Sequence, residues 1–169
     1  LILGATGAVG SAAVQIAHAM GAEVTATGRD SDHSLLHALG ADSVVDNRAG
    51  PLSGQWDIIL DAVGAATWRQ MRPHLTPKGR FLIVAGDLVA LLAAKTVRGE
   101  PRPVSVLAPE RAEDMAKLAA LAERGLYRPL IDSSHPLHGI AAAHARGDTG
   151  RKRGAVVVRV GLETGAGGG

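Results

Sequence analysis

The chain has 169 residues, 46% of them hydrophobic and 20% charged, which suits one domain with a sizeable core and leaves no room for a second full one. A formal charge of +2 from scattered basic residues, with only 2% aromatics, forms no nucleic-acid patch, and the absence of cysteine removes a disulfide framework, a thiolate zinc site and a catalytic thiol from this stretch. No apolar run reaches the ~18–20 residues that a membrane helix needs and no charged segment opens a leader, so the expectation is no membrane partner and a cytoplasmic location.

The opening "LILGATGAVGSAAVQIAHAMGAEV" reads as a strand over Leu1 to Leu3, a helix from about Val9 to Met20 and a strand over Glu23 to Thr27, a βαβ unit. A helix over Ser34 to Leu39 leads to a strand over Ser43 to Asp46. The pieces "AHAMGAEV" and "AHALGADSVV" echo each other, each ending a helix on a glycine, Gly21 or Gly40. "WDIILDAVG" reads as a fully buried strand, Ala66 to His74 as a helix, Pro77-Lys78-Gly79 as a turn, and "RFLIVAG" as a further strand. After Asp87 come an apolar helical section, the loop "RGEPRP", the strand "VSVL", an amphipathic helix over Pro109 to Arg124 and a short strand over Leu130 to Asp132. A helix and loop in "PLHGIAAAHARGDTG" and the last strand "GAVVVRV" follow.

Strands alternating with helices predict an α/β fold: a Rossmann-type, doubly wound, mostly parallel six-stranded sheet with helices on both faces and right-handed crossovers. This domain is expected to span 1–160, with 161–169 a disordered glycine-rich tail. The chain starts without Met and inside an apolar strand pattern, which reads as a fragment whose true N-terminus lies upstream.

Gly4, Gly7 and Gly10 fall at the turn from the first strand into the first helix, where dinucleotide-binding folds place their glycines. There the backbone can turn tightly and approach a pyrophosphate, and free N–H groups at the helix start meet its charge. The spacing reads either as Ala5-x-Gly7-x-x-Gly10 or as Gly4-x-x-Gly7-x-x-Gly10, the second form suiting a short-chain reductase.

The sequence around and after the loop resembles the medium-chain dehydrogenase/reductase superfamily, in particular its quinone oxidoreductase-like and zinc-type alcohol dehydrogenase-like members. The residues that carry the resemblance are "GATGAVGSAAVQIAHAMGAEV", "LGADSVVD", "WDIILDAVG", "LTPKGRFLIVAG" and "GLYRPLIDSSHPLHGIAAAHARGDTGRKRGAVVV". Tyr127 is the single tyrosine and no Tyr-x-x-x-Lys pair follows the fourth strand, which reduces the short-chain alternative to a minor one. The chain departs from the family pattern at Ala8, where a glycine is common, and at Ala155, where many members have lysine. Lys152 or Arg153 are the substitutes at hand for a phosphate contact made by that lysine.

The resemblance implies a cofactor-binding set: Thr6, Gly7, Ala8, Val9 and Gly10 in the first turn, Gly28 and Arg29 after the second strand, Val63 and Gly64 after the fourth, and Ala85 and Gly86 after the fifth. For Asn47 the alternatives are facing the adenine and forming a turn, and Val63 and Ala85 have core packing as their alternative. Selectivity is set at the end of the second strand, where a carboxylate holds the ribose 2′-hydroxyl of NAD and an arginine accommodates the 2′-phosphate of NADP. Gly28 occupies the acidic slot and Arg29 supplies a cation, which favours NADP (NADPH) over NAD. If the strand ends one or two residues later, Asp30 holds the ribose and the preference reverses.

The family's substrate contacts, and the zinc ligands of its metal-dependent members, lie in an N-terminal barrel domain that this sequence does not contain, so no catalytic residue and no zinc site are assigned here. The seven histidines show no metal spacing, and Asp61 reads as a structural strand-end carboxylate. Expected partners are a small-molecule substrate, reached through the missing domain, and a second copy paired through the edge strand 103–107. The leading reading is the cofactor half of an NAD(P)H-dependent oxidoreductase, moving hydride to or from a quinone, enone, carbonyl or alcohol and inactive as an isolated fragment. The alternative is a non-catalytic NADP-binding sensor or accessory module.

Overall fold

The computed structural model describes residues 1–46, 50–85, 96–105 and 111–161. Its centre is a strand of two residues, β1 (Ile2–Leu3), in which Ile2 pairs with Ala26 of β2 (Thr25–Gly28) on one side and with Leu60 of β4 (Trp56–Asp61) on the other. β3 (Ser43–Asp46) flanks β2, while β5 (Leu75–Ile83) and β6 (Arg102–Val104) continue the sheet past β4. Every pairing is parallel, giving a six-stranded sheet of order β3-β2-β1-β4-β5-β6. The doubly wound Rossmann-type sheet expected from the alternating pattern is the one that forms.

Strand alternation divides the core in two. Ile2, Val24 and Ala26 pack with Val14 of α1 (Ala8–Ala19) and Leu36 of α2 (His33–Ala38). Their neighbours Leu1 and Leu3 point the other way, toward Ile59, Phe81 and Met71 of α3 (Trp68–Met71). Helices therefore cover both faces, and the filling is aliphatic, as so few aromatics require. Phe81, the chain's single phenylalanine, is wholly buried, and truncating such a residue costs about 3–5 kcal/mol.

Four local expectations are corrected or relocated. The "WDIILDAVG" strand is not fully buried, because Ile58 is 53% exposed while its neighbour Ile59 is enclosed. Pro77-Lys78-Gly79 is not a break between elements: β5 runs from Leu75 through these residues to Ile83. They bulge out of the ladder where Trp56 pairs with Leu75 and Ile58 with Arg80. The helix expected over Pro109 to Arg124 is α4 (Ala112–Glu123), which has no buried residue. The expected short strand at Leu130 is the longer β7 (Ile131–Pro136). After α5 (Ile140–Asp148), the last strand, β8 (Ala155–Arg159), pairs in parallel with β7 in a separate two-stranded sheet.

Among the described residues β6 forms one edge of the large sheet, where Arg80 of β5 reaches across to Glu100 at 2.6 Å and holds that carboxyl below its usual range. Positions 106 and 107 of the expected edge strand, most of the helical section after Asp87, and the tail from position 162 onward lie outside the described residues. No described helix is long and apolar enough to cross a membrane.

Candidate functional site

Strand order reverses between β1 and β4, so the connections leave these neighbours toward opposite sides and open a crevice beyond their carboxyl ends. The two turns that bound it touch. Gly4 has φ +73°, and a β-carbon on it would fall 2.5 Å from Cγ1 of Val63 in the turn after β4. Next door, Gly64 has φ +70°, and a β-carbon there would meet the carbonyl oxygen of Ala85 after β5 at 3.0 Å. Val63, 55% exposed, is not core packing.

The glycines of the first turn have separate tasks. A β-carbon on Gly10 would lie 2.1 Å from the carbonyl oxygen of Gly4, so the first turn of α1 is pressed against the loop backbone and tolerates no side chain. Gly7 differs: it is the N-cap of α1 with φ −74°, and an added β-carbon would meet only the Gly4 carbonyl oxygen, at 3.5 Å. Among the described residues nothing else comes within 4 Å of that point and no side chain caps the helix, leaving the N–H groups of Ala8, Val9 and Gly10 without acceptors inside the helix, at the positive end of the macrodipole. The loop is braced from β2, where the Thr27 hydroxyl accepts from the Gly4 N–H at 3.2 Å and donates to the Ile2 carbonyl at 3.3 Å.

At the other end of the crevice, β2 stops at Gly28, which is buried against Leu36, and Arg29 follows in extended backbone with its side chain in solvent. Asp30 does not continue the strand. It opens a 3-10 turn (Asp30–Asp32) with its side chain 96% exposed and 4.0 Å from His33 Nδ1, so the strand-end position belongs to glycine. Asp32 is buried, accepts from the Arg29 N–H at 3.4 Å and pairs with Arg153, which arrives from the loop before β8.

That loop also bears on the glycine turn: the Gly154 N–H donates to the Thr6 carbonyl at 2.7 Å, and Gly7 and Gly154 form a parallel bridge. The Arg153 backbone is anchored by its N–H donating to Asp132 at 2.8 Å. Arg146 grips Asp132 through two bonds of 2.6 and 2.7 Å, and first this fork, then the Arg153 N–H, hold the Asp132 carboxyl well below the usual range. Lys152 is turned onto the Gly154 carbonyl at 2.9 Å.

Ten of the twelve residues expected at the site thus lie around one crevice: Thr6, Gly7, Ala8, Val9 and Gly10 at its centre, Gly28 and Arg29 on one flank, and Val63, Gly64 and Ala85 on the other. Asn47 and Gly86 lie outside the described residues. Thr27 and the Asp32–Arg153 pair were not singled out by the sequence pattern. In the sequence Arg153 stands out only as a charge beside the substituted lysine position. Asp61 is a structural carboxylate: wholly buried, it accepts from the N–H groups of Val63, Ala65 and Ala66 at 3.0–3.1 Å and shapes the turn that carries Val63 and Gly64. Among the described residues, no group of three or more His, Asp or Glu side chains could hold a metal ion.

The zinc-binding dehydrogenase family pattern matches residues 39–158. The chain is 30% identical to a chloroplastic quinone oxidoreductase, QR1, of Triphysaria versicolor, over 94% of this chain and 51% of that protein. It is 29% identical to the mitochondrial NAD(P)H oxidoreductase RTN4IP1 of Bos taurus, over 95% of this chain and 47% of that protein. Among solved structures, the quinone oxidoreductase from Coxiella burnetii superposes with a TM-score of 0.83 at 25% identity, covering 95% of this chain and 52% of the other. A thermostable alcohol dehydrogenase from Pyrobaculum aerophilum gives 0.75 at 26% identity, over 94% and 49%. The chain spans about half the length of the relatives it matches.

Proposed function

The chain belongs to the zinc-binding dehydrogenase family of the medium-chain dehydrogenase/reductases, and on that premise we propose that it holds the nicotinamide dinucleotide of an NAD(P)H-dependent oxidoreductase. The observation that carries this reading is the start of α1: a helix N-terminus without a side-chain cap, where among the described residues only the Gly4 carbonyl comes within 4 Å of a β-carbon on Gly7, at the point where the strand order reverses. A pyrophosphate fits that place. The N–H groups of Val9 and Gly10, which have no acceptor inside the helix, are its donors, and Gly7 leaves the backbone bare where the phosphate must approach.

When bound, the cofactor supplies the hydride; the residues of this chain bind and orient it. Val63, Gly64 and Ala85 line the crevice on the β4–β5 side and form the floor under its nicotinamide end. Gly28 removes the carboxylate that would repel a 2′-phosphate, Arg29 offers a cation, and Asp30 is turned to solvent, which together support NADPH over NADH. The substrate would be a small quinone, enone, carbonyl or alcohol, presented by parts of the protein with which the relatives' additional length corresponds. The described residues do not fit a zinc site, and no step is assigned to a metal.

Fluorescence titration of the chain with NADPH and NADH tests this reading. NADPH is expected to bind the more tightly, and Arg29→Ala to bring its affinity toward that of NADH. Failure of both nucleotides to bind, or an Arg29→Ala variant that keeps full NADPH preference, would contradict it.

A further inference from the structure

We propose that the Asp32–Arg153 ion pair sets the choice between the two nucleotides, by cancelling a buried negative charge beside the end of β2, where Gly28 and Arg29 stand. The inference rests on the NADPH reading and names a selectivity device within it.

Asp32 is three residues beyond Arg29 and accepts from its backbone N–H at 3.4 Å, so its charge lies beside the end of β2. It is buried, and water cannot screen it. Its one cationic partner among the described residues is Arg153. That guanidinium, 49% exposed, also donates to the Ser31 carbonyl and hydroxyl at 3.3 Å each, so it lies across the whole turn that follows Arg29. Arg153 arrives already positioned, because Asp132 fixes its backbone and Arg146 fixes Asp132. The other charges nearby do not replace it: the Asp30 side chain stands in solvent beside His33, and Lys152 is engaged with Gly154.

A phosphate and an unpaired carboxylate several ångströms apart near a protein surface repel strongly enough to change affinity by about tenfold to a hundredfold. Arg153 removes that repulsion. A 2′-hydroxyl carries no charge and does not feel the carboxylate in this way, so the pair acts on NADPH and leaves NADH nearly untouched. Arg153 is here a positioning and charge-balancing residue, and its effect runs through Asp32.

The test measures NADPH and NADH dissociation constants for the chain and for the Arg153→Met, Arg153→Met/Asp32→Asn and Arg153→Lys variants. The expected result is an NADPH loss of about tenfold or more in Arg153→Met with NADH unchanged, and recovery in the double variant, where no buried charge remains. Arg153→Lys keeps the charge and is expected to keep the preference, which provides the reading should the methionine variant not fold. Equal loss of both nucleotides, no loss of NADPH, failure of the double variant to recover, or lost preference in Arg153→Lys overturns the inference. An unaltered chain that binds NADH as tightly as NADPH overturns the cofactor reading itself, whereas a preference that survives Arg153→Met overturns the ion-pair inference alone.

Discussion

The side-chain amide of Gln15 pairs with the backbone of Arg128, 113 positions away, as one strand pairs with another: its Nε2 donates to the Arg128 carbonyl at 3.0 Å and its Oε1 accepts the Arg128 N–H at 2.9 Å. Gln15 thereby ties α1, whose first turn faces the nucleotide crevice, to the segment that leads into β7 and on to Arg153. Gln15→Met preserves bulk and removes both bonds to Arg128, together with the one that Nε2 donates to the Ser11 carbonyl at 3.1 Å. It is expected to lower stability by about 1–3 kcal/mol, because both Arg128 backbone groups lose their partner. Urea unfolding measures this, and a loss below about 0.5 kcal/mol would contradict the role.

Asp61 collects three backbone N–H groups in a site without solvent, so Asp61→Asn should be poorly tolerated although it is nearly isosteric. The amide replaces an acceptor with a donor that faces donors. The expected cost is about 1–3 kcal/mol by denaturant unfolding, accompanied by weaker nucleotide binding as the Val63–Gly64 turn loosens. Unchanged stability would show that the turn does not depend on the carboxylate.

Asp132 gives stability a pH dependence of definite sign. Arg146 and the Arg153 N–H lower its pKa in the folded state, so its contribution is complete above the ordinary carboxylate value near ~3.9 and fades as the pH falls through that value toward the folded one. The melting temperatures of the unaltered chain and of Asp132→Asn should therefore differ most near neutrality and converge below about pH 4. A gap of constant size from pH 7 down to pH 3 would refute the assignment.

The doubly wound parallel sheet was legible because its strands are short, apolar and separated by helices that end on glycines such as Gly21 and Gly40. Gly28 at the end of β2 was legible for the same local reason. The sheet's exposure was less so: an apolar run such as Ile58-Ile59-Leu60 does not reveal which of its alternate residues will find a cover. Pro77-Lys78-Gly79 carries turn chemistry, and in the fold that chemistry bulges a strand without ending it. The Asp32–Arg153 pair, like Gln15 with Arg128, joins positions more than a hundred residues apart. Such pairs follow from how β7 and β8 dock on the glycine turn, and local spacing holds no trace of that docking.

Gly7→Ala probes the first turn of α1 as the proposed phosphate cradle. The backbone of Gly7 suits alanine, and among the described residues the added methyl meets nothing closer than 3.5 Å, so the loss of stability should not exceed about 1 kcal/mol. The same methyl occupies the space a pyrophosphate needs, so affinity for NADPH and NADH alike should fall by about tenfold or more, a loss of about 1.4 kcal/mol. A folded Gly7→Ala chain that binds both nucleotides as tightly as the unaltered one would show that this turn holds no phosphate.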